Sequence, residues 1–142
     1  MKTLLIAAAA TLALAAPALA QDPQTGSVTF EFATGKAEGT VMVALFDRAE
    51  AWGGRGAAVA NQAVPAGAGV TTVTFTGLAP GDYAMRAMHD VNDDGELNTN
   101  PFGMPTEPYA FSNGAIGNMG PASWAQARFS LDGAVVQAIE LR

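Results

Sequence analysis

There is no cysteine in this chain of 142 residues. Disulfide staples, zinc–thiolate sites and cysteine nucleophiles are therefore excluded, so the fold must be held by packing or by a bound ion. A single histidine, His89, is present, too few for the multi-histidine sites that transition metals commonly use. Positive charge is also scarce, with seven Lys and Arg against 13 Asp and Glu and a formal net charge of −6. Beyond Lys2 the basic residues are Lys36, Arg48, Arg55, Arg86, Arg128 and Arg142, scattered along the chain. Nucleic-acid binding needs a gathered basic face to neutralise phosphates, and an anionic membrane surface asks for the same. Neither partner is expected. Only one long apolar run occurs, the 13 residues 4–16, short of the roughly 20 that span a bilayer.

That run has the context of a secretory signal peptide. Lys2 precedes it, and the small-x-small sequence Ala18-Leu19-Ala20 follows it. This is the order of charged, apolar and cleavage regions that an export signal carries. Residues 1–20 are expected to be removed, leaving a soluble protein in the periplasm or outside the cell. The remaining 122 residues carry a formal charge of −7, because Lys2 leaves with the leader. A chain of this length can bury about two-thirds of its unfolded surface. The expected organisation is a flexible polar lead over residues 21–26 and one domain over residues 27–142.

Strand signals dominate that domain. Residues 27–32 alternate, with Val28, Phe30 and Phe32 on one side, and residues 40–46 form a more continuous apolar run suited to a central strand. Residues 35–39 would turn one into the other as a hairpin. Residues 47–69, rich in Ala and Gly, read as a long loop with one weak strand near 59–64. Alternation returns over 70–75, a Pro-Gly turn follows at 80–81, and residues 83–88 make another strand. Residues 90–121, rich in Pro, Gly and Asn, read as one long structured loop. Ser123 is placed to cap a helical turn over 124–127. Residues 129–131 and 134–141 form a last hairpin around Asp132-Gly133. Six or seven short strands with almost no helical periodicity predict an all-β, two-layer sandwich.

The chemistry-bearing segment begins at Asp90. Counting it as position one, Asp90, Asn92, Asp94 and Asn98 stand at positions 1, 3, 5 and 9, Gly95 at position 6 and Leu97 at position 8. This is the spacing of an EF-hand-type calcium loop. Calcium takes six to eight oxygens at about 2.4 Å without strict geometry. Alternate side chains of a wrapping loop supply them, and a residue without Cβ makes the reversal. The backbone carbonyl of Glu96 would be a further ligand, Leu97 would anchor the loop, and Asp93 should point outward. Position 12 is Pro101 where an EF-hand has a bidentate Glu, and no helices flank the loop. Glu107 is a possible replacement. With Asp90 and Asp94 as the charged ligands, affinity should be weak, about 10⁻⁴ to 10⁻³ M. The competing reading is an ion-free turn, since Asn, Asp and Gly favour turns in any case.

The segment LAPGDYAMRAMHDVNDDGELNTNPFGMPTEPYAFSN, residues 78–113, resembles the signature of domain-of-unknown-function family 2141, a group of small exported bacterial proteins. GPASWAQARF, residues 120–129, resembles the family's pattern near its C-terminus. The resemblance implies a sandwich like the prealbumin or collagen-adhesin B-type domains, in which a Leu-x-Pro-Gly-x-Tyr turn opens a strand. It implies no activity. Asn98 stands where Asp is expected more often, and Ala110 where Gly is expected.

Other readings compete for the same residues. His89 as base with Ser112 as nucleophile and Asp90 or Glu107 as orienter would make a small periplasmic hydrolase, but no nucleophile elbow surrounds Ser112. A strand-end residue at the sheet surface is the simpler role for His89. Glu96 and Glu107 could pair as glycosidase carboxylates. Phe102, Tyr109 and Phe111 would either form a sugar or peptide platform or fold inward, and Trp52 would be a binding residue or a loop anchor. The preferred expectation is a non-enzymatic, envelope-associated binding or structural module with one calcium ion and a protein or glycan ligand.

Overall fold

A computed structural model describes residues 25–142. The expected leader and residues 21–24 of the polar lead lie outside the described residues.

Among the described residues, eight strands form two sheets. They are β1 (Gly26–Thr34), β2 (Thr40–Phe46), β3 (Ala60–Pro65), β4 (Gly69–Leu78), β5 (Gly81–Asp90), β6 (Tyr109–Phe111), β7 (Phe129–Leu131) and β8 (Ala134–Glu140). One sheet has the order β4-β1-β8, and the other runs β3-β2-β5-β6 with β7 also paired to β5. This is the expected all-β sandwich. Two four-residue helices, α1 (Ala49–Trp52) and α2 (Trp124–Ala127), lie in the connections.

The period-two alternation of the strands builds the core. Val28, Phe30 and Phe32 of β1 meet Val41, Val43 and Leu45 of β2 and Tyr83, Met85 and Ala87 of β5 between the sheets. Phe30 packs edge-on against Phe75 and Phe129, with centroids 6.4 and 5.9 Å apart. The turn into β5 is closed by Tyr83, whose hydroxyl donates to the Ala79 carbonyl at 2.8 Å.

Two expected hairpins are absent. β1 pairs antiparallel with β4 and parallel with β8, whereas β2 pairs with β3 and β5. Residues 35–39 therefore cross from one sheet to the other. β7 pairs with β5 and β8 with β1, so Asp132-Gly133 is a second crossing. Strand alternation specifies which face is buried but not which strand is the neighbour. The segment read as one loop from 90 to 121 contains β6, and the segment from 47 to 69 contains α1. The Ser123 cap is present as a full capping box with Gln126.

A second apolar cluster lies on the opposite face of the larger sheet. Phe46 of β2, Ala84 of β5 and Phe111 of β6 are covered there by Ala51 and Trp52 of α1, Ala122, and Ala127 of α2. The cover extends over one end of that face only.

Candidate functional site

β5 delivers His89 and Asp90 to the start of the loop. Both are buried. The Asp90 carboxylate accepts backbone N–H groups from Asp94 (3.2 Å, on Oδ1) and Gly95 (2.7 Å, on Oδ2). The chain can reverse here because Gly95 has φ +80°. Asn92 Oδ1 accepts from the Asp94 N–H at 3.3 Å, and Asp94 Oδ1 accepts from the Glu96 N–H at 2.9 Å. Asp94 Oδ2 then receives two side-chain amides, Asn98 Nδ2 at 2.8 Å and Asn92 Nδ2 at 3.0 Å. Asn92 Nδ2 also donates to Asn98 Oδ1 at 3.0 Å. Of the four side chains read from the spacing, Asn92, Asp94 and Asn98 thus bond one another, and Asp90 joins them through the backbone N–H groups of Asp94 and Gly95. Donation from Asn98, then from the Glu96 N–H and Asn92, holds the Asp94 carboxyl below its ordinary value.

The other expected members differ. Glu96 is exposed and joins through its backbone N–H. Asp93 is exposed, as expected, with φ +57° and its Oδ1 accepting the Thr40 hydroxyl at 2.7 Å. Glu107 is buried, with Oε1 accepting the Val91 N–H at 2.8 Å and Oε2 the Asn98 N–H at 3.0 Å. It braces the two ends of the loop, with both oxygens engaged on backbone.

The donor set suits a hard cation. Every side chain in the cluster carries carboxylate or amide oxygen, the chemistry calcium and magnesium prefer. Among the described residues no group of three or more His, Cys, Asp or Glu gathers as a metal site, so the amide oxygens of Asn92 and Asn98 are required alongside the two aspartates. Each amide must turn about its last side-chain bond to present oxygen in place of the N–H now given to Asp94.

The hydrolase arrangement is not assembled. Ser112 is buried, accepting the Met85 N–H at 2.9 Å and donating to the Ala127 carbonyl at 2.6 Å. His89 is buried rather than at the sheet surface, and its Nε2 bonds the Glu38 carbonyl at 2.7 Å. No hydrogen bond among the described residues joins His89 to Ser112 or to a carboxylate. The carboxylate pair is likewise unformed, since Glu107 is occupied and Glu96 lies in solvent. Of the loop aromatics, Phe102 is 91% exposed, Phe111 is buried and Tyr109 is half-buried. Trp52 is a buried anchor, donating from Nε1 to the Ala122 carbonyl at 2.9 Å.

Arg86 was not singled out by the sequence. Its side chain lies over the Trp52 ring, 4.2 Å from the centroid, and donates to the Trp52 carbonyl. Burial pulls its guanidinium below the ordinary value, but an arginine remains charged at any physiological pH. The only available signal was its place in the 83–88 alternation, as one charge among apolar neighbours.

No curated protein and no solved structure matches this chain. A family described as "Uncharacterized protein conserved in bacteria (DUF2141)" matches residues 28–139. That span covers both sheets, the Asp90 loop and the Arg86 strand, and the chain belongs to this family.

Proposed function

We propose that the chain is an exported, envelope-associated binding or structural module whose Asp90 loop holds one calcium ion. The observation that carries this reading is the hydrogen bonding of the Asn92, Asp94 and Asn98 side chains to one another, with the Asp90 carboxylate accepting the Asp94 and Gly95 N–H groups of the same glycine reversal. Asp90 and Asp94 would supply the charge, Asn92 and Asn98 neutral oxygens, and the Glu96 carbonyl a backbone ligand. Glu107 would hold the loop ends without contacting the ion. Two carboxylates predict a weak site, about 10⁻⁴ to 10⁻³ M, matched to calcium outside a cell. At ten times the dissociation constant, binding adds about 1.4 kcal/mol of stability to a fold without disulfides.

Export by the residue 1–20 leader accords with this, since millimolar calcium is found outside the cytoplasm. A prealbumin-like or adhesin B-type arrangement also belongs to the proposal, supported by the Leu-x-Pro-Gly-x-Tyr turn at residues 78–83 and its Tyr83 closure. Calorimetric titration with calcium and magnesium, repeated on Asp90→Ala, tests the ion. N-terminal sequencing of the protein recovered from the periplasm or medium tests export, with Gln21 expected as the first residue.

A further inference from the structure

Cross-strand register fixes what the larger sheet presents on its outer face. Met42 of β2, Met88 of β5 and Tyr109 of β6 stand directly opposite one another, and Ala44, Arg86 and Phe111 make the next row. Directly paired residues project to the same side. The Phe111 end of the second row is roofed by Trp52, but the methionine row is not. It floors a cavity of about 550 Å³ whose lining also includes Leu97 from the Asp90 loop and Pro121. Cavities of this size and apolar character are typical of small-molecule sites. Methionine floors adapt to varied apolar shapes.

Among the described residues, Arg86 is the only charged one in the lining. No carboxylate lies within ion-pair distance of it among the described residues. Its guanidinium is stacked on Trp52 and Phe46 and gives one hydrogen bond to the Trp52 carbonyl, while its Nε–H is buried without an acceptor. A half-buried cation that lines an apolar cavity and has no carboxylate partner is half of a pair.

We infer that this cavity binds a small organic carboxylate, its apolar body lying on Met42 and Met88 and its anionic head meeting Arg86. The planar fork of arginine matches a carboxylate in bidentate fashion. One cation balances a monoanion and would leave a phosphate dianion under-compensated. A cavity of this volume suits a free small molecule. The inference rests on the reading of the chain as a binding module but not on the ion, because floor and cation both belong to the sheet.

Calorimetric titration of the purified protein with decanoate and with decanol, each below its aggregation limit and in the presence of a chelator, tests it. Decanoate should bind at least about tenfold more tightly than decanol, the gain of a charge-assisted hydrogen bond. Met88→Trp, which fills the floor, should weaken decanoate about tenfold or more. Arg86→Met should reduce decanoate to the level of decanol and leave decanol unchanged. If Arg86→Met fails to fold, the two ligands on the native protein and Met88→Trp still decide the matter. Equal binding of acid and alcohol, no binding of either, or indifference to Met88→Trp overturns the inference. A calcium-independent melting temperature with decanoate still bound would remove the ion alone.

Discussion

The Glu107 carboxylate accepts the backbone N–H of Asn98 at 3.0 Å across nine residues of chain. Its other oxygen holds Val91, so one buried side chain closes the loop that begins at Asp90. Charge-assisted bonds of this kind are worth about 1.5–3 kcal/mol each, and an orphaned buried donor costs about 1–3 kcal/mol. Glu107→Ala should therefore lower the unfolding free energy in urea by about 2–4 kcal/mol. Glu107→Gln, which keeps one acceptor, should cost less. Hydrogen exchange should quicken first at Val91 and Asn98. A Glu107→Ala protein as stable as the native one would remove the brace.

Gly39 makes a second tie to this loop. It has φ +74°, and a Cβ there would overlap the Asp90 carbonyl and the Val91 Cα. Both the left-handed backbone and the close approach exclude a side chain. Gly39→Ala should cost about 2 kcal/mol or more by thermal unfolding. Gly54→Ala is the control: its φ is +84° with open space around it, so it should cost only the backbone preference, about 1 kcal/mol.

Asp82 joins β5 to β7. Its carboxylate accepts the Ser130 hydroxyl and the Arg128 guanidinium, each at 2.7 Å. These bonds, the Ser130 one first, lower its pKa from the ordinary 3.8. A depressed folded-state pKa means that the stabilisation is fully present above the unfolded value and is lost as pH falls through the folded value. Asp82→Asn should flatten the acid limb of the stability–pH curve below about pH 4 and leave its shape near neutrality unchanged. An unaltered acid limb would contradict the assignment.

Local pattern and distant partnership were not equally legible in the sequence. The β2 run, the alternation of β1 and the Ser123 cap could be read because each depends on neighbours a few residues away. The Asp90 cluster could be read for the same reason: positions 1, 3, 5 and 9 lie within one reversal. The two false hairpins arose because residues 35–39 and Asp132-Gly133 have turn chemistry, whereas the partners of β1 and β8 are set by packing across the whole chain. β6 was hidden because three residues among prolines carry too little alternation. Nothing local to His89 announces the Glu38 carbonyl that its buried ring meets. Arg86, Met42, Met88 and Leu97 gather only through the register of three strands and the fold-back of a loop, which no single window displays.

The loop's chemistry is tested most directly by differential scanning calorimetry in millimolar calcium and in excess chelator, on the native protein and on Asp90→Ala. The account predicts a higher melting temperature with calcium, equivalent to about 1.4 kcal/mol at ten times the dissociation constant, and no such rise in the variant. Superimposable melting curves for the native protein under the two conditions would contradict it.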